Sequence, residues 1–526
     1  MKKKLSIVLI LSMIVSLVLS VHQSFAETSN NVLLDQSNSN VASKKTVTKP
    51  NSSELSNTQI YDIFERNIND YGVELVDWQG YIANPYVKLT VKPPKDAVFP
   101  VTITIKATGT SRLMMDLPSE LSKDGATKIL TFSNAEEKKD FKLAIHPDRI
   151  GGPNEVEKYK LTFKTSDKIG NGHTQNIPIR VWDQDDNKET NFPLHFDYRS
   201  DTITGYFKDE GIRNASEQAV KDWFYFFDME PFDEVPANSE SIMIPGDNWE
   251  NHVEVTNNVP YNGMWIAMRG LNDPWSTGYP ANNGNYHTRN GEMIPGQIHR
   301  SLGLILEFID GAIPFTSLDD EKWYLTDLYK VTDVYGLIMH EFGHSLAFHE
   351  YWSGMQEFKV KGGNETDVVY YQGYPVPLDS SYHIPGDEKY WDRISGQSGG
   401  WKHDFPTRRW MLTKLTLLVA ENAGWKLNRN LTPFIKPQIV TTSLDNAKKE
   451  NKYTQTLLAK GGVPFYDWRI VEGSLPEGLS LNRFTGTING KVSKNQSKGN
   501  YTFTVELRDY DEKSIPVTKT FSIKIR

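Results

Sequence analysis

The sequence predicts a multidomain protein in which a mixed α+β domain lies between two β-sandwiches. Three observations predict it. Short segments of period-two alternation, separated by Pro, Gly, Asn and Asp, fill residues 60–185 and return beyond residue 436, the pattern of half-buried strands. Between them, "SEQAVKDWFYFFDM" and "VYGLIMHEFGHSLAF" carry helical spacing. At 526 residues the chain also has the length of about two to four domains rather than one.

The chain begins "MKKKLSIVLILSMIVSLVLSVHQSFAE". Lys2, Lys3 and Lys4 precede an apolar run, and small residues follow at Ser24 and Ala26, which predicts a signal peptide over 1–26 cleaved after Ala26. A secreted, extracellular protein is expected, with no stable membrane insertion after cleavage. Residues 27–58 are rich in Ser, Asn, Thr and Lys and read as a disordered linker. Residues 59–188, with "YVKLTVKP", "VTITIKATG" and "YKLTFKTS", read as a β-sandwich accessory domain. At its end "WDQDDNK" gathers oxygen ligands of the kind calcium takes, but without the spacing of a dedicated loop. An exposed turn is expected there, with structural Ca(2+) as the alternative.

Residues 189–435 form the mixed domain. A helix is expected from a cap at Ser216, strands in "YNGMWIAMRG" and "SLGLILEFID", a helix through "VYGLIMHEFGHSLAF", and a last helix from about residue 408 to Gly424. Residues 436–526 return to strands and turns. There "GSLPEGLSLNRFTGTINGK" followed by "YTFTVELRD" resembles the immunoglobulin-like domains appended to bacterial exported enzymes and surface proteins. The resemblance implies a β-sandwich used for spacing or weak adhesion.

Composition narrows the chemistry. The chain has no cysteine, so disulfides, thiolate ligands and thiol nucleophiles are excluded together, leaving His, Asp and Glu as metal ligands. An exported protein without cysteine is in keeping with a Gram-positive source. A formal charge of -8 without a clustered basic face argues against nucleic acid. A protein or glycoprotein substrate is expected instead.

The chemistry concentrates in "HEFGHSLAFHE", residues 340–350. On a helix, residues four apart share a face, so His340 and His344 aim at one metal while Glu341 stands beside it as general base. Zn(2+) suits neutral nitrogen ligands and acidifies water. The segment "HEFGHSLAF" resembles the metzincin zinc metalloproteases, in which HExxHxxGxxH carries a third histidine. Here Ala347 stands at the glycine position and Glu350 at the third histidine position, with His349 one residue early. If Ala347 continues the helix, His349 lies roughly 140° round from His344 and faces away.

The leishmanolysin-like branch of that clan brings its third histidine from far downstream. This chain resembles it in "HSLAF" and in a closing helix ending "ENAGW". His383 in "SSYHIPG" and His403 in "GGWKHDF" compete for the place. His383 is preferred for the turn chemistry around it, with His403, His349 and Glu350 as alternatives. Met411 reads as an ordinary apolar helix residue, and Tyr382 and Tyr390 as minor candidates for stabilising developing negative charge. His287 and His299 read as surface or satisfied polar residues. The resemblance implies an exported zinc metalloendopeptidase, its metal held by His340, His344 and His383. An inactive surface adhesin on the same scaffold, or a zinc hydrolase specialised for glycoprotein or cell-wall peptide, is the alternative. The flanking sandwiches would hold either near a cell wall or host matrix.

Overall fold

The alternating segments near the N-terminus pair into two sheets. In the computed structural model, which describes residues 54–77, 81–82, 87–108, 113–115, 127–145, 156–183, 189–246, 251–272, 276–281, 285–306, 308, 313–318, 331–349, 352, 359–361, 367–371, 374–378, 383, 412–431, 436–463, 465–510 and 515–526, one sheet orders the strands Gln59–Tyr61, Val87–Lys92, Lys139–Ile145 and Leu113–Met115. The other orders Val73–Asp77, Gly172–Asp183, Val156–Ser166, Val101–Thr108 and Thr127–Phe132. Val87, Leu89 and Val91 are buried on one sheet, Val101, Ile103 and Ile105 on the other, and Phe141 meets Phe163 between them at 6.3 Å. Leu55 and Thr58 are already buried and Ser56 bonds Asp96. Ordered packing therefore starts inside the stretch expected to be linker.

The chain divides into two units, one spanning Glu54–Asn428 and the other containing Arg429–Arg526. The expected fold class, with an α+β metzincin-like domain at residues 189–435, is corrected by the structure: the described residues taken together are mostly β, 45% strand against 12% helix, and no α+β metzincin fold is shown. Helical periodicity is confined to three stretches among the described residues, while the aromatic- and glycine-rich sequence between them forms short strands and hairpins. The first helix, α1, spans Glu210–Tyr225. Asp209, not Ser216, caps it, accepting from the Ile212 N–H, and Ser216 is buried within the helix. Helix α2 spans Val334–Leu346, capped by Asp333 on the Gly336 N–H. Helix α3 spans Lys414–Asn422, shorter than expected because Leu412–Thr413 is a strand paired with Tyr81–Ile82.

The sheet that matters for the site has four strands: β1 (Leu194–Asp197), β2 (Met264–Gly270), β3 (Thr277–Pro280) and β4 (Ser301–Leu306). Their order is β1-β2-β4-β3, parallel except for β3, which runs antiparallel along one edge. Strands β2 and β4 are buried at every position, so they read as continuous apolar runs. Helix α2 packs against β3, β4 and α1.

In the Arg429–Arg526 unit, one three-stranded sheet orders Lys452–Thr456, Thr487–Lys491 and Leu479–Leu481, and another Asp467–Gly473, Gly499–Arg508 and Val517–Ile525. Trp468, Leu457, Ile488, Phe503 and Ile523 form its core. Gly486 at φ +70° brings the backbone against the Trp468 ring, an approach only glycine allows there. Among the described residues no helix is long and apolar enough to cross a membrane. The expected signal peptide lies outside the described residues, as do residues 184–188 of "WDQDDNK", where Ca(2+) was the alternative.

Candidate metal centre

Helix α2 is fixed from several sides before its histidines are placed. Buried Asp222 of α1 accepts from the Tyr335 hydroxyl at 2.6 Å. The Trp223 indole donates to the Met339 carbonyl at 3.0 Å. At the far end the indoles of Trp352 and Trp425 donate to the carbonyls of Ser345 (3.0 Å) and Leu346 (2.9 Å), two of the groups a helix leaves unpaired at its C-terminus. The Ser345 hydroxyl ties the helix to the Gly303 carbonyl of β4. Gly278 of β3 permits the contact with the sheet edge, because a Cβ there would lie 1.6 Å from the Glu341 carbonyl oxygen.

On this held helix, His340 and His344 stand one turn apart and His383 comes to meet them. The His383 Nε2 lies 3.1 Å from His344 Nε2 and 3.2 Å from His340 Nε2. The three side chains form a group able to hold a metal ion. A carbonyl oxygen only accepts, so the 2.9 Å contact between His344 Nδ1 and the Phe348 carbonyl puts the proton on Nδ1 and leaves the Nε2 lone pair facing the other rings. Imidazole nitrogens at this spacing either share a proton or hold a cation between them. Nitrogens held about 2.0–2.1 Å from zinc in a tetrahedron stand about 3.3 Å apart, and the separations of 3.1 and 3.2 Å are close to that edge. The residues present therefore fit a zinc ion.

Glu341 is 4% exposed, and burial pushes its carboxyl up to about 8, opposed only by the Gly278 N–H. A carboxyl so placed exchanges a proton near neutral pH, as a general acid and base must.

Helix α2 stops at Leu346. Ala347 is its C-cap at φ -153°, and the N–H groups of Ala347 and Phe348 both return to the Gly343 carbonyl. Ala347 therefore ends the helix rather than prolonging it, and a glycine is not needed because the dihedral is negative. His349 follows this turn and is not part of the three-histidine group. Glu350, Tyr382, Tyr390, His403 and Met411 lie outside the described residues. His287 and His299, expected at the surface or satisfied, are 1% and 0% exposed. His287 stacks on Phe232 at 4.0 Å, and burial holds its pKa down at about 3. Sequence reasoning missed Gly278, Trp223 and Trp352. Only Gly278 left a signal, as an isolated glycine in a strand-like segment, "STGYP", which marks close backbone approach.

Residues 433–526 match the family model described as "Putative Ig domain". That region is immunoglobulin-like. No curated protein matches the chain. Among solved structures it is similar to a nucleoside hydrolase-related protein from Saccharophagus degradans, at 14% identity and TM-score 0.16 over 21% of this chain and 30% of that one. It is also similar to the C-terminal domain of the AgI/II polypeptide BspA from Streptococcus agalactiae, at 12% identity and TM-score 0.16 over 24% and 49%. A family 123 glycoside hydrolase from Clostridium perfringens gives 12% and 0.16 over 29% and 32%. The chain spans less than half the length of each of these proteins, and overlaps this slight carry no argument about fold or activity.

Proposed function

We propose that this chain is a secreted zinc-dependent endopeptidase in which His340, His344 and His383 hold the metal and Glu341 is the general base. The observation that carries the reading is the meeting of three imidazole Nε2 atoms, two of them on the helix that also bears the buried Glu341. Zinc is favoured by the donor set, three neutral nitrogens in a chain without cysteine. When bound, zinc supplies Lewis acidity, polarising a carbonyl and bringing the pKa of water from 15.7 toward about 7.

The chain's own residues supply the rest. His344, oriented by the Phe348 carbonyl, keeps its ring fixed as a ligand. Glu341 takes the proton of the water that attacks the scissile carbonyl and passes it to the leaving amine. Near a divalent charge its carboxyl falls back toward the ordinary carboxylate range, so it starts as a base and ends as an acid. The Gly278 N–H keeps that carboxylate beside α2. The substrate is a protein or glycoprotein, and the immunoglobulin-like region serves attachment at a cell wall or host matrix. A binding protein without activity has no use for Glu341, whose burial without a cation costs stability.

The test is cleavage of casein by the wild type and by Glu341→Gln, with metal content measured on both. One zinc per chain in each, with cleavage lost in the variant, is expected. Equal cleavage by the two would sink the reading.

A further inference from the structure

The five-stranded sheet near the N-terminus turns one face to its core and the other outward, and the outward face gathers charge that the sequence disperses. Along Val156–Ser166, Leu161, Phe163 and Thr165 are buried, while Lys158, Lys160 and Lys164 are exposed. Side chains alternate along a strand, so the three lysines share one side and the residues between them point to the other. For that reason no basic run is visible in the sequence. The register carries the same face across the neighbouring strands, with Lys164 between Thr104 and Thr174 and Lys160 between Thr108 and Pro178.

The face has one sign. Among the described residues its strands carry a single carboxylate, Glu74, which accepts from Arg180 Nε at 2.5 Å and from the Trp182 indole. Lys158, Lys160 and Lys164 make no ion pair among the described residues. A face built only for solubility mixes both signs. This one excludes the sign that is in excess over the whole chain, whose formal charge is -8.

Spacing and texture define the partner. Residues two apart on a strand are separated by about 6.6–6.8 Å, so the three ammonium groups stand at one such interval and then at two. A chain of glycerol units joined end to end by phosphodiesters repeats after twice as many backbone bonds as a polypeptide residue, which advances about 3.3–3.6 Å when extended. Its phosphates therefore recur at about 7 Å. Lysine meets phosphate as a point charge, and threonine hydroxyls beside it donate to phosphate oxygens. Single-stranded nucleic acid stacks its bases on aromatic side chains, and the one aromatic ring among the described strand residues of this face, Trp182, is 4% exposed. We propose that the outer face of this sheet, along Lys158, Lys160 and Lys164, binds a linear glycerol-phosphate polymer, independently of any reaction at the metal centre.

The test is titration of the full chain with end-labelled poly(glycerol phosphate) at low salt and at about 0.15 M, where exposed charges are screened beyond about 8 Å. Heparin and oligothymidylate, matched in charge, are titrated alongside. Saturable binding of the polyol phosphate is expected, weaker at the higher salt and tighter than that of either alternative. Lys158→Gln, Lys160→Gln and Lys164→Gln together should weaken it about eightfold, roughly twofold for each exposed ion pair, while the same three changes to Arg should keep it. Lys491→Gln, Lys494→Gln and Lys498→Gln, at exposed positions of the other unit, remove the same charge and should leave the affinity unchanged. An unchanged melting temperature shows that each variant is folded. No saturable binding at low salt, tighter binding of heparin or oligothymidylate, or equal affinity in the two glutamine triples would each overturn the proposal.

Discussion

Glu341 in the Glu54–Asn428 unit and Asp467 in the immunoglobulin-like unit are both buried acids, 4% and 0% exposed, and they are buried on opposite terms. Asp467 is gripped by Arg469 Nε at 2.5 Å and by Arg483 through Nε and Nη2, both at 2.8 Å. Glu341 has one backbone N–H, that of Gly278, set against the effect of its burial. Glu74 in the N-terminal sheets resembles Asp467 more than Glu341, since Arg180 and the Trp182 indole both donate to it. Two charges that neutralise each other hold strands together. A carboxyl held protonated by burial has a charge state that depends on what binds next to it, and on the proposed reading this difference separates the structural acid from the reactive one.

The largest effect should come from Glu341→Gln, a loss of about 10²–10⁴-fold in casein cleavage with zinc retained and the melting temperature held or raised. Loss of zinc along with activity would instead make Glu341 a ligand and break the contrast. Gly278→Ala should come next, because its Cβ would enter the backbone of α2. A destabilisation of about 1–3 kcal/mol by urea titration is expected, together with weaker zinc binding by competition with a chelating dye. Asp467→Asn should cost about 1–3 kcal/mol in its own unit, at the lower end because Arg469 and Arg483 are partly exposed, and leave cleavage unchanged. A fall in cleavage there would show that the paired acid also serves the reaction.

The smallest effect sharpens the comparison through pH. In metal-free protein, the Glu341 pKa lies at about 8, above its ordinary 4.5, so the fold favours the protonated carboxyl. Its contribution to stability is full below about 4.5 and is lost as pH rises through about 8. The wild-type melting temperature should therefore fall across that window relative to Glu341→Gln, whose amide does not titrate. Parallel curves would mean that the carboxyl reaches water.

Much of the site was legible in the sequence because helical spacing is a local property. His340, Glu341 and His344 follow from the four-residue repeat, and the turn around "SSYHIPG" singled out His383 without measuring anything about its distance. The immunoglobulin-like region was legible for a similar reason, since its turn glycines and alternating strands are written in one contiguous stretch. The strands expected in "YNGMWIAMRG" and "SLGLILEFID" are found at Met264–Gly270 and Ser301–Leu306. The α+β reading of residues 189–435 failed instead because the helical share was overestimated, as at residues 412–413, where the expected helix gives way to a strand paired with a segment distant in the chain. Ser216 misled because Asp209, earlier in the chain, caps the helix in which it is buried. Ala347 misled because a helix end without glycine leaves no mark in composition.

By itself, then, the sequence determined the donor types, the absence of thiols, the placing of His340, Glu341 and His344 on one helical turn, and an immunoglobulin-like end. Each depends on residue identity or spacing within a few turns. Only the tertiary structure decided that the third imidazole arrives from His383 and that Glu341 is sealed off by the edge strand at Gly278. Those facts depend on strand register and on contacts between segments distant in the chain, where burial shifts a pKa and pairing cancels a charge.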